Sequence, residues 1–106
     1  MRVLFVDGAL PSSASLTAHA HQAAAQALGG FARRITTVRI AVVDHNGVRA
    51  GPADKSCSMV AAVAGRGTVS ARAVAADFYA AVTAASKRLA RLLERRVRAN
   101  RGRGQR

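Results

Sequence analysis

KSCSMVAAVAGRGTVSARAV, residues 55–74, decides the fold. Residues 55–63 alternate, with Cys57, Met59, Ala61 and Val63 on one face. Alternation of this kind is the period of a half-buried β-strand. GRG at 65–67 reads as a short hairpin connection, because glycine supplies the positive φ such turns need. Residues 68–74 pair back, with Val69, Ala71 and Ala73 toward the core and Ser70 and Arg72 outward. Two adjacent strands, each apolar on one side only, need a layer to cover that side.

Upstream, RITTVRIAVV at 34–43 is rich in β-branched residues and predicts a further strand. Val38, Ile40 and Val42 share one face, and Thr37, Arg39 and Ala41 the other. A polar loop with two glycines and a proline is expected over 44–54. At the start, RVLFV at 2–6 is β-prone and ends at the turn signal Asp7-Gly8. LPSSAS offers Ser13 or Ser15 as the N-cap of a helix over about 14–28. Its apolar stripe is Leu16, Ala20, Ala23, Ala27 and Phe31, and Gly29-Gly30 ends or frays it.

Downstream, Asp77 is the N-cap of a last helix. Phe78, Val82, Ala85, Leu89, Leu92 and Leu93 fall within about 100° of one another. Lys87, Arg88, Arg91, Arg95 and Arg98 cluster on the opposite side, and Arg96 points along the apolar stripe. Packing on the sheet is therefore expected to stop near Leu93, with the helix beyond it projecting free. The predicted order is β-α-β-β-β-α, an α+β domain over residues 1–99: a four-stranded sheet with two helices on one face. A disordered basic tail is expected at 100–106.

The chain has 106 residues, enough for one modest core. Half the residues are apolar, but alanine supplies much of that, and the only rings besides histidine are Phe5, Phe31, Phe78 and Tyr79. The net charge is +12 and the pI about 11.9. Residues 87–106 carry nine Lys/Arg against one acid. Charge so concentrated implies an anionic partner, and nucleic acid is the commonest.

DFYAAVTAASKRLARLLERR at 77–96, the GRGTVSARAVA hairpin strand before it and FARRITTVRIAVVDHNG at 31–47 together resemble the ribosome hibernation promoting factor and ribosome-associated inhibitor family. DHNGVRAGPADKSC at 44–57 looks like a divergent proteobacterial branch. The resemblance covers roughly 31–99 and is weak over 1–30. It implies a fold similar to double-stranded RNA-binding domains. It also implies binding to the small ribosomal subunit through 16S rRNA, where mRNA and tRNA would otherwise sit, silencing translation in stationary or stressed cells. By matching position, Arg88, Arg91 and Arg95 correspond to basic residues of the family's last helix, and Asp77 and Tyr79 to its start. Long members of the family carry a separate C-terminal dimerisation domain, so this chain resembles the short type.

Arg88, Arg91, Arg95 and Arg98 form one row about 15 Å long. Guanidinium forks bond two phosphate oxygens at once. Lys87, Arg101, the loop residue Lys55, Arg66 in the hairpin, and Arg39 and Arg72 on the open sheet face extend the expected RNA-binding surface. The bland reading of such a row is a solvated helix face; Tyr79 reads as an edge-of-core tyrosine rather than a base-stacking ring.

No catalytic or metal site is expected. His19 and His21 are two apart on a helix, so their rings point about 200° apart and read as a surface pair. Cys57, the single cysteine, alternates with Met59 toward the core and reads as a buried structural thiol. A lone cysteine also fits a reducing cytosol. Five acids, two assigned to a cap and to the basic helix, leave little for paired acid–base work. GRGTVS lacks the ending of a phosphate loop. The start is too short and broken for a signal peptide, and no run reaches the roughly 18 apolar residues of a membrane span.

The expected protein is a cytoplasmic, non-enzymatic monomer with no cofactor and no small-molecule substrate. A small enzyme would require a pocket with convergent polar groups, for which the sequence supplies no candidate, and two further rivals stand beside the leading reading. One is a generic RNA-binding or ribosome-assembly protein of the same fold. The other is an interaction module that lays its final amphipathic helix on membranes or acidic proteins, which requires the Leu89/Leu92 stripe to be exposed.

Overall fold

The computed structural model describes residues 1–5, 14–45 and 55–104, with side chains through Arg98. Its elements follow the order β1 (Arg2–Phe5), α1 (Ala14–Leu28), a single 3-10 turn (Gly29–Phe31), β2 (Ile35–Asp44), β3 (Lys55–Val63), β4 (Gly67–Ala75) and α2 (Phe78–Gly104). The strands make one sheet in the order β1-β2-β3-β4. β1 runs parallel to β2, and the other neighbours are antiparallel.

The two-residue period of the strands sets the register. Ile40 pairs with Met59 and Met59 with Ala71, which places one row of apolar side chains under the helices. The adjacent outward row is Leu4, Arg39, Val60 and Ser70. The β3–β4 turn closes with the Arg66 amide donating to the Val63 carbonyl at 2.9 Å. Gly65, third in that turn, has φ +70°, as a type II turn requires.

α2 packs over β3 and β4, and α1 lies beside it. One core holds both helices on the sheet, with Leu28, Val38, Ile40, Met59, Val82 and Leu89 fully buried. Among the described residues, eight of the twenty buried apolar side chains are alanines, so the layer between helices and sheet is thin. No buried side-chain nitrogen or oxygen among them lacks a hydrogen-bond partner.

Four expectations need correction. Ser15 lies inside α1 and bonds Tyr79 Oη at 2.6 Å, so it is not the cap; Ser13 lies outside the described residues. The buried face of α1 includes Ala24 and Leu28, both missed by the predicted stripe, while Ala27 and Phe31 are half-buried. Packing does not stop at Leu93: Arg96 and Val97 are half-buried, and Arg96 Nη1 donates to the Arg66 carbonyl at 2.9 Å. The helical backbone continues to Gly104, five residues into the segment expected as disordered tail. The glycine pair ends α1 as expected, through the 3-10 turn. The loop expected over 44–54 falls mostly outside the described residues.

Candidate nucleic-acid interface

α2 is fixed at its start by Asp77. Its Oδ1 accepts from the Ala80 amide at 2.8 Å, occupying one of the donors a helix N-terminus leaves open. From there Ala81, Val82, Ala85, Leu89 and Leu93 turn onto the sheet and are buried. Leu92 is half-buried. The apolar stripe is thus occupied by the protein's own sheet, which removes the face that a membrane-surface helix would need.

The opposite side of α2 carries the expected row. Lys87, Arg88, Arg91, Arg95 and Arg98 are all exposed. Arg91 and Arg95 make no hydrogen bond or ion pair among the described residues. Arg88 leans over the sheet edge, where Nη1 donates to the Arg72 carbonyl at 2.6 Å. Arg98 pairs with Glu94 at 2.7 Å, an exposed i,i+4 pair of small energy. Arg101 lies in the helical backbone, and its side chain is outside the described residues.

The remaining cations divide. Arg39 and Arg72 stand on the open sheet face, two strands and one row apart, roughly 12 Å between Cα atoms from sheet geometry. Arg72 Nη2 donates to His45 Nε2 at 3.0 Å, which lies 2.8 Å from Ser56 Oγ. His45 thus links the Arg72 guanidinium on β4 to the Ser56 hydroxyl on β3. Lys55 was expected in a loop. It opens β3 instead, directly opposite Asp44, and the two pair at 3.3 Å with about a fifth of each side chain exposed. Its Nζ also lies 5.9 Å from the Phe78 ring centre. Lys55 is therefore a tie between two strands at the start of α2. Arg66 is exposed at the hairpin tip.

His19 is not a bare surface residue. Nε2 donates to the Tyr79 carbonyl at 3.1 Å and lies 3.0 Å from Thr83 Oγ1, joining α1 to α2. The rings of His19 and Tyr79 are 5.1 Å apart. Among the described residues no three His, Cys, Asp or Glu side chains gather as a metal site. Cys57 is fully buried, and burial pushes its thiol up to about 12. The nearest histidine in the chain, His45, instead contacts Ser56 and Arg72, whose strand positions alternate with those of Cys57 and Ala73. No described helix is long and apolar enough to cross a membrane.

No family model matches the sequence, and comparison with curated proteins gives no match. Solved structures do match. A ribosomal subunit interface protein from Coxiella burnetii superposes with TM-score 0.74 and 17% identity, over 90% of this chain and 96% of that one. The N-terminal domain of Protein Y from Thermus thermophilus superposes with TM-score 0.62 and 18% identity, over 89% and 93%. The fold is shared. The four-stranded sheet with two helices expected from the sequence is therefore an architecture already seen in these proteins.

Sequence reasoning missed three arginines. Arg33 and Arg34, in the turn before β2, face the hairpin end of α2, and Arg96 completes the group. The adjacent pair Arg33-Arg34 was a visible signal. The long-range pairing that brings it to Arg66 and Arg96 was not.

Proposed function

We propose that this chain is a ribosome hibernation factor. It binds the small ribosomal subunit through 16S rRNA and silences translation in stationary phase or stress, in the cytoplasm, as a monomer when free. The observation that carries this reading is the outward row on α2, with Arg91 and Arg95 exposed and without a partner among the described residues, on a helix locked to its sheet. It stands on a fold shared with a ribosomal subunit interface protein. No catalytic step is assigned to it.

The mechanism is electrostatic and steric. A helix held by Leu89 and Leu93 presents its guanidinium groups with little freedom left to lose. Folded rRNA offers fixed arrays of phosphates, and a rigid basic surface matches such shapes without reading bases. Occupying that RNA surface excludes other ligands from it. With about six phosphates neutralised, log K falls with log[salt] at a slope of roughly −4 to −5.

Sedimentation of stationary-phase lysate on a low-salt sucrose gradient tests the reading. The protein is expected with small-subunit-containing particles and competes with initiator tRNA there. Absence from all ribosomal particles would overturn it. Co-sedimentation only with immature particles would point instead to an assembly protein.

A further inference from the structure

The hairpin end of the molecule holds a concavity of about 250 Å³ between the β3–β4 turn, the turn before β2 and α2. Four arginines are among the residues that line it: Arg33, Arg34, Arg66 and Arg96. No acid does. Each described carboxylate is engaged elsewhere: Asp44 with Lys55, Asp77 at the helix cap, and Glu94 with Arg98. Arg33, Arg34 and Arg96 line one concavity with no described carboxylate beside them, and like charges so placed repel one another unless an anion joins them.

The walls are held by main-chain bonds. The Ala64 amide donates to the Arg34 carbonyl at 2.8 Å, and the Arg34 amide to the Phe31 carbonyl at 2.9 Å. These two bonds lock the Arg33-Arg34 turn to the hairpin. Arg96 departs from the leucine stripe to reach the Arg66 carbonyl, which uses one of its five N–H donors. Phe31 and Leu93 give the floor an apolar surface, where water competes less for the guanidinium groups. Arg33 and Arg34 are exposed, and their side chains make no interaction among the described residues.

We propose that this concavity is a phosphate-binding site, in which Arg33, Arg34, Arg66 and Arg96 take one phosphate group of an RNA backbone. The RNA source rests on the functional reading above; the site itself does not. Around α2, Arg96 is turned about 100° from Arg95 and about 140° from Arg91, so the concavity and the row contact separate phosphates. The apolar floor suits the sugar attached to the bound group.

The test follows backbone amides by NMR in the full chain at constant ionic strength. Inorganic pyrophosphate is titrated in one arm and hexauridylate in the other. Saturating shifts are expected at the Arg34, Ala64 and Arg66 amides in both. The double variant Arg33→Gln/Arg34→Gln, checked for folding by circular dichroism, should weaken pyrophosphate binding about tenfold or more, as loss of charge-assisted bonds requires. Arg91→Gln/Arg95→Gln should leave it within about twofold, because that row does not line the concavity. Non-saturating shifts spread over all arginines, or equal binding by the Arg33/Arg34 variant, would overturn the site. Binding of pyrophosphate without hexauridylate would overturn RNA as the occupant. Neither outcome depends on whether the protein joins ribosomes.

Discussion

The guanidinium of Arg88 donates to the backbone carbonyl of Arg72 at 2.6 Å, so the terminal helix is tied to the edge strand β4 by one member of its own basic row. The row is consequently not uniform. Arg88 has a structural bond to lose, and among the described residues Arg91 and Arg95 have none.

Charge reversal should therefore be made at Arg91 and Arg95. The double variant Arg91→Glu/Arg95→Glu is expected to keep its melting temperature and to leave ribosomal particles at low salt. With two fewer phosphate contacts, the magnitude of the log–log salt slope of RNA binding should fall by about 1.5 to 2. Retained co-sedimentation would place the contact elsewhere. Arg88→Ala, by contrast, should cost about 0.5–1 kcal/mol in urea melts through the lost bond to Arg72.

Leu89 is fully buried, whereas Leu92 is half-buried. Leu89→Ala should destabilise the fold by about 2–5 kcal/mol, a loss large enough to unfold a small domain at 37 °C. Leu92→Ala should cost clearly less. Chemical denaturation of the two variants side by side checks the order. Equal costs would mean that α2 does not sit on the sheet as described.

Asp77→Ala should remove the helix cap at a cost of about 0.5–2 kcal/mol, and Asp77→Asn should recover most of it. Hydrogen exchange localises the effect. The Ala80 amide should lose protection first, followed by the Tyr79–His19 junction that the first turn of α2 supports.

Burial raises the Cys57 thiol from its ordinary value of 9.0 to about 12. Below pH 9 both folded and unfolded chains keep the proton, so this group adds no pH dependence. Above pH 9 the unfolded chain ionises and the folded one does not, so stability falls by about 1.4 kcal/mol per pH unit until the folded value is reached. Urea melts of the wild type and Cys57→Ala should diverge in slope above pH 9 and run parallel below it. The native thiol should also resist a water-soluble disulfide reagent at pH 8.

The parts of the fold legible in the sequence are those with a strict local period. Cys57, Met59 and Ala61 alternate so regularly that the inward face of β3 follows from spacing alone, and Asp77 marks the start of α2 by its side chain. α1 is less legible because alanine surrounds it. Ala23, Ala24 and Ala27 look alike in a sequence, and only packing distinguishes the first two, buried, from the third. The remaining differences are all long-range. Lys55 meets Asp44 because β2 and β3 pair in that register, and Ser15 meets Tyr79 across 64 residues. Of the candidate interface, the outward row followed from helical periodicity. The Arg33, Arg34 and Arg96 group required the hairpin end of the sheet to be folded around it.

Ala81 and Ala85 of α2 and Ala61, Ala71 and Ala73 of the sheet place little more than methyl groups in the layer beneath the terminal helix. Such a layer works as a fixed spacer. Enlarging one of these methyls, as in Ala85→Leu, would lift the helix and shift every guanidinium it carries relative to the hairpin, at a packing cost of about 1–3 kcal/mol. An uncharged, wholly interior substitution could in this way retune anion recognition on both sides of the helix at once.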